Sequence, residues 1–199
     1  MASQRFWSDA AAEPKRKYRF TFQVGALPLF TITKVTRPSF NVTETPHTFF
    51  NHTFYYPGKI EWQTISFTLV DPIQPDSTAI LMKMLRGSGY QFPDKQFGGN
   101  GANYGSVSKQ SSVGAVGAAS IRAYDADGQT VELWKLKNCW MKNVSMNDYE
   151  YASDDMLMMD VELRYDWATI EAFNKTPTPG IVKPNGQPVK DIDLSSAGE

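Results

Sequence analysis

Among its 199 residues the chain has one cysteine and two histidines. A disulfide framework within the chain is excluded, and so is a metal cluster built on several thiolates. Neither sign of charge dominates: Lys and Arg number 20 against 21 Asp and Glu, a formal net charge of −1. A protein that grips nucleic acid electrostatically shows a basic excess, so tight nucleic-acid binding is not expected. Apolar runs approaching the length of a membrane span are missing, and no membrane partner is expected. The stretch from Met1 to Lys17 lacks the apolar h-region of a secretory signal, which points to synthesis in the cytoplasm. What the chain has in quantity is aromatic side chains, 12 Phe, 9 Tyr and 5 Trp, ample for one substantial core.

Residues 1–16 are polar, contain Pro14 and run into the basic Lys15-Arg16-Lys17, and they read as an N-terminal arm. From Tyr18 to Val24 apolar and polar residues alternate, the period of a half-buried strand. A second extended stretch is predicted over Leu29 to Val42, bent at Pro38. Ile60 to Val70 reads as one strand whose apolar phase slips, which a β-bulge near Gln63-Thr64 would reconcile. Asp76 to Arg86 has an acidic cap and an apolar stripe of Ile80, Leu81, Met84 and Leu85, the pattern of an amphipathic helix. Residues 97–119 are rich in Gly, Ser and Ala and read as a long surface loop. Ser120 to Tyr124 and Gln129 to Met141 form a predicted hairpin closed at Asp127-Gly128. Met156 to Trp167 alternates cleanly and reads as the last strand, with a helical turn expected over Ala168 to Phe173. Residues 174–199 are Pro-rich and read as a C-terminal extension. The predicted fold class is mainly β: an antiparallel sandwich or barrel with one flanking helix.

Between Phe40 and Lys59 the pattern is unlike an ordinary loop. Phe49, Phe50, Phe54, Tyr55 and Tyr56 crowd around Asn51 and His52 and are followed by Pro57-Gly58. Left in water, they would form a large apolar patch. The segment must either cover its own core or dock on another subunit.

Motifs that could carry chemistry are each explained more simply. His47 and His52 lack a third ligand at metal-binding spacing. Asp125-Ala126-Asp127-Gly128 opens like a calcium loop but lacks the closing acid, and a hairpin turn accounts for it. Cys139 has no nearby histidine to activate it. Gly98-Gly99-Asn100-Gly101 lacks the Lys-Ser/Thr of a phosphate loop. No catalytic residue, cofactor site or metal site is expected, and the chain is not expected to be an enzyme.

Three stretches carry a resemblance: Lys34-Val35-Thr36-Arg37-Pro38-Ser39; Asn51-His52-Thr53-Phe54-Tyr55-Tyr56-Pro57-Gly58-Lys59 with Trp62; and Thr68-Leu69-Val70-Asp71-Pro72. With Leu163-Arg164-Tyr165-Asp166-Trp167-Ala168 they make residues 17–173 resemble the tail tube proteins of contractile-tailed bacteriophages. The resemblance implies a β domain assembled as hexameric rings that stack into a hollow tube. Its partners would be further copies of itself, the tail sheath protein, and baseplate and tail-terminator proteins. DNA would be a non-specific passing cargo, and the location the virion tail. A baseplate tube-initiator, or the inner-tube protein of a contractile injection or secretion system, is the alternative within the same fold.

Three groups of residues then become candidates. Phe49, Phe50, Asn51, His52, Phe54, Tyr55 and Tyr56 would make inter-ring or inter-subunit contacts. Glu61, Gln63, Ser66, Thr68, Asp160, Glu162 and Arg164, the polar positions of two strands, would face a lumen that passes DNA without holding it. Arg164 would be neutralised by Glu162 or Asp160 of a neighbouring strand. Lys83 and Arg86 on the helix would face outward toward the sheath.

Overall fold

The computed structural model describes residues 14–93 and 105–173. Residues 1–13 of the arm expected over 1–16, the tail from 174 and residues 97–104 of the Gly/Ser-rich loop lie outside the described residues. In chain order the elements are β1 (Phe20–Val24), a 3-10 turn (Leu29–Thr31), β2 (Ile32–Val35), β3 (Phe40–Phe49), β4 (His52–Trp62), β5 (Ile65–Val70), α1 (Ser77–Gly87), α2 (Lys109–Val116), β6 (Ala119–Tyr124), β7 (Thr130–Lys137), β8 (Trp140–Met146), β9 (Met158–Arg164) and β10 (Trp167–Ala172). Three sheets result, in the orders β1-β6-β7-β10, β2-β5-β9-β8 and β3-β4. The fold is mainly β, and every pairing in the last two sheets is antiparallel.

By their contacts the residues group into two compact units, and β1, β6, β7 and β10 each contribute to both. The smaller comprises, among described residues, 14–21, 121–133 and 170–173. Its turn is built on Asp125, whose carboxylate accepts from the backbone N–H groups of Asp127 (3.0 Å) and Gln129 (2.7 Å), while Gly128 takes a φ of 76°. That is the reason for an Asp-x-Asp-Gly sequence here: a self-capping turn. Glu132 is buried at 3% exposure, and the Lys15 ammonium reaches it as an ion-pair partner.

The larger unit spans 22–120 and 134–169 and holds most of the core. Ile65, Phe67 and Leu69 of β5 alternate inward and pair across the ladder with Leu163, Val161 and Met159 of β9. Phe22 of β1 meets Phe67 edge-on, with ring centroids 5.1 Å apart. Helix α1 starts where Asp76 accepts from the Ala79 N–H at 2.8 Å, and it buries Leu81 and Met84. Its last turn lies against α2: a Cβ built on Gly87 would stand 3.1 Å from that of Ala115.

Several expectations are corrected. The stretch from Leu29 is not strand throughout; it opens with a 3-10 turn in which the Thr31 hydroxyl donates to the Pro28 carbonyl at 2.8 Å. The slip in Ile60–Val70 is no bulge. The chain leaves one sheet after Trp62 and enters another at Ile65, so the two phases belong to separate strands. Residues 109–116, expected as loop, form α2, capped by the Ser108 hydroxyl accepting from the Ser111 N–H at 3.1 Å. The strand predicted over Gln129–Met141 breaks at Asn138, whose φ is 56°, and its continuation β8 runs beside β9 in a different sheet. The helical turn expected over Ala168–Phe173 is the edge strand β10, where sheet pairing overrides local helix preference.

Candidate assembly interfaces

The β3–β4 ribbon is an isolated antiparallel pair running from Phe40↔Trp62 at its base to Phe49↔His52 at its tip. Aromatic contacts fix the base: Phe40 packs on Trp62 at 5.4 Å, and Trp62 on the buried Tyr165 at 5.9 Å. A register shift falls between Val42 and Glu44, where the Thr43 hydroxyl accepts the Lys59 N–H at 2.8 Å. Gly58 makes this possible, since a Cβ there would lie 2.4 Å from that hydroxyl. Above the base, no described residue buries the ribbon. Phe49, Phe50, Phe54, Tyr55 and Tyr56 are all exposed, Phe50 by 85%. At the tip Phe50 adopts a φ of 50°, a left-handed conformation normally left to Gly or Asn, with its ring edge-on to Phe49 at 4.6 Å. The exposure of every one of these rings means that, among the described residues, the segment does not cover a core of its own domain.

The second candidate surface is the outer face of the β2-β5-β9-β8 sheet. Register places Ser66 opposite Glu162 and Thr68 opposite Asp160, and these pairs interact: the Thr68 hydroxyl donates to Asp160 at 2.6 Å. Glu162 accepts from the Thr64 hydroxyl and from the Lys142 ammonium at 3.1 Å. Those hydrogen bonds, Thr64 first and then Lys142, hold the Glu162 carboxyl below its ordinary range, with the charge of Arg164 helping. Within the chain, then, the direct ion-pair partner of Glu162 is Lys142, and Arg164 acts on it as a neighbouring charge. Lys34, opposite Thr68, and Lys142 join this face, so it carries both signs. Glu61 is not on this sheet; it sits on the ribbon opposite Asn41. Gln63 occupies the crossing between sheets, its N–H donating to the Ser39 carbonyl at 2.8 Å.

At the sheet's other edge of chemistry, Asp166 accepts from the Lys109 ammonium (2.7 Å) and from the Asn138 side-chain amide (2.7 Å), tying α2 to the corner after β9. Its carboxyl is held below the ordinary range by the same two donors. Beneath it Cys139 is buried, and desolvation, then the charge of Asp166, pushes its thiol up to about 12. Such a thiol is no nucleophile. On α1, Lys83 and Arg86 are exposed, and the Arg86 guanidinium lies over the Phe92 ring at 5.0 Å, beside a 280 Å³ hollow lined also by Tyr90 and Gln91. Among the described residues no cluster of His, Cys, Asp and Glu could hold a metal ion, and no helix is long and apolar enough to cross a membrane.

No family model and no curated protein matches the chain by sequence. Solved structures do match it in fold. A chain of the anti-feeding prophage cap, the AFP tube terminating cap, superposes with a TM-score of 0.58 at 17% identity, covering 86% of this chain and 99% of that one. A chain of the anti-feeding prophage baseplate gives 0.57 at 14% identity over 80% and 97%. A chain of the sheath–tube complex of PVC, an extracellular contractile injection system, in its extended state gives 0.55 at 16% identity over 85% and 99%. This chain has the fold found in the contractile injection apparatus. The match spans nearly the whole of each neighbour, so the resemblance read from the sequence holds at the level of fold.

Proposed function

We propose that this chain is the tube subunit of a contractile tail: six copies form a ring, and rings stack into the inner conduit through which DNA leaves the particle. The observation that carries this reading is the bare aromatic ribbon on an otherwise well-packed domain. A two-stranded hairpin is marginal alone in water, and one this apolar needs a covering surface that a stacked copy supplies.

The remaining features fit. Strands β2 and β8 are the edges of their sheet, and unpaired edges are templates for strand addition. Joining six copies of the sheet edge to edge would close a barrel, with the polar face of Ser66, Thr68, Asp160, Glu162 and Arg164 turned to the channel. Strands spaced about 4.8 Å apart would give such a ring a backbone diameter of at least roughly 37 Å, more when the strands tilt. Charges of both signs, paired within the face, would wet a polyanion without trapping it through counterion release. Lys83 and Arg86 would face the sheath, and the ends of the tube would meet baseplate and terminator proteins. The product would reside in the virion tail after synthesis in the host cytoplasm.

A second reading, the inner tube, cap or tube-initiator of a contractile injection or secretion system, is favoured by the identity of the fold neighbours, one from a baseplate that is 6-fold symmetrised and one from a cap. Negative-stain microscopy of the concentrated protein tests the class. Rings or tubes are expected; a monodisperse monomer at every concentration contradicts both readings. Copy number per particle separates a tube subunit, which recurs in every ring, from an initiator or cap, which occupies one; neighbouring genes, capsid and sheath against an ATPase and a membrane complex, separate a phage tail from a secretion system.

A further inference from the structure

Loop 147–157 joins β8 to β9 at one end of the four-stranded sheet. The ladder pairs Val70 with Met158 at that end and Ile65 with Leu163 at the other. The ribbon base at Trp62 precedes Ile65 by two linking residues, so ribbon and loop belong to opposite ends of the sheet. The loop is shaped: Asn147 N–H donates to the Met158 carbonyl at 3.2 Å, and the Ser153 hydroxyl donates to Asp155 at 3.0 Å. It frames a hollow of 660 Å³ whose lining includes Met146, Tyr149 and Met156 together with Asp148, Glu150 and Asp155. Those three apolar side chains are themselves exposed, Tyr149 by 89%.

We propose that the aromatic tip of the ribbon of one copy docks into the 147–157 hollow of a second copy stacked on it. This rests on the stacking reading above and names the receiving surface. The chemistry on the two sides is complementary. Residues 147–157 hold four carboxylates, Asp148, Glu150, Asp154 and Asp155, and no cation; residues 45–56 of the ribbon hold no carboxylate and two imidazoles. The N–H groups of His47 and His52 and the amide of Asn51 are donors a carboxylate rim accepts. Methionine thioethers and a tyrosine ring make a deformable lining suited to phenylalanine rings. Phe50 is held exposed in a left-handed conformation, and backbone strain of this kind clusters at functional sites such as ligand clamps. The ribbon is ten residues long on its shorter strand, about 33 Å at the rise of an extended chain, and reaches well past its own sheet. A basic partner protein would neutralise the loop but leave the ribbon bare, whereas a second copy covers both.

Because Cys139 is buried and its thiol is inert, introduced cysteines can be read against a silent background. Asn51→Cys in one preparation and Glu150→Cys in another are mixed at ring-forming concentration and oxidised mildly. A disulfide-linked dimer is expected in the mixture and in neither variant alone. In parallel, Asp148→Lys with Glu150→Lys should raise the concentration needed for stacking about ten-fold while leaving the circular dichroism of the single subunit unchanged. If rings stack normally in the charge-reversed variant and the mixture gives no excess dimer, the hollow is not the receiving surface, although stacking stands. If no variant and no wild-type sample ever assembles, the stacking reading itself falls, and this inference with it.

Discussion

In the β5–β9 pair, Ile65, Phe67 and Leu69 face Leu163, Val161 and Met159, and all six are buried. In the β3–β4 pair, longer and richer in aromatics, every residue except Trp62 is exposed. Both are antiparallel pairs; a main difference is whether the described residues of this chain supply the second layer. The first pair is finished by its own fold. On the stacking proposal the second is an interface carried on a finished domain, and stability of the subunit and stability of the assembly should then be separable by mutation.

The largest separation should come from aromatic truncation. Phe67→Ala is expected to cost the subunit about 3–5 kcal/mol, the range for emptying a large core site. Phe54→Ala should change urea unfolding of the isolated chain by no more than about 0.5 kcal/mol yet abolish sedimenting assemblies. A large loss of subunit stability from Phe54→Ala would break the comparison.

Two glycines sharpen it. At Gly25, with φ 51°, a Cβ would lie 2.6 Å from the Val116 carbonyl oxygen, so Gly25→Ala should destabilise the subunit by about 1–3 kcal/mol. Gly58→Ala meets a closer obstacle, the Thr43 hydroxyl, but in the ribbon. It should leave the unfolding midpoint nearly unchanged and impair assembly.

A smaller effect is expected at the corner held by Asp166. Asp166→Ala removes the bonds from Lys109 and Asn138 and should cost about 1 kcal/mol, discounted because the carboxylate is partly exposed. The pH dependence follows in sign. Asp166 and Glu162 both have folded-state values lowered below their ordinary ones. Their contribution is present above the unfolded carboxylate range near pH 4 and is lost as pH falls through the lowered folded values. Acid unfolding of Asp166→Ala should accordingly lose part of its steepness below about pH 4.

Much of the core was legible because period-two alternation marks strands buried on one face: Phe22 and Val24, Ile65 to Leu69, Met159 to Leu163. The α1 helix was legible from Asp76 and its apolar stripe. Strands β8 and β10 were not, since neither carries a clean alternation: Lys142-Asn143-Val144-Ser145 is polar but for a half-buried Val144, and β10 is half-buried on both faces over its four middle residues. Helix α2 hid among small residues, its signal reduced to the Ser108 cap and to Gly117, which ends it at φ 69°. The ribbon announced itself by composition: too many rings for a solvated loop. Its pairing register, the bulge at Thr43 and the strained Phe50 depend on backbone geometry that no residue pattern encodes. The split of Ile60–Val70 between two sheets was visible as a phase slip, but a bulge and a strand break leave the same trace in sequence.

We infer that the exposed ribbon exists to be covered by another copy of this chain. Hydrogen exchange of the ribbon amides, followed from dilute subunit to concentrated assembly, tests it most directly. Fast exchange is expected over residues 45–56 in the dilute sample and strong protection on assembly, while β5 and β9 are protected in both. Assembly that leaves 45–56 exchanging as fast as in the free subunit would contradict it.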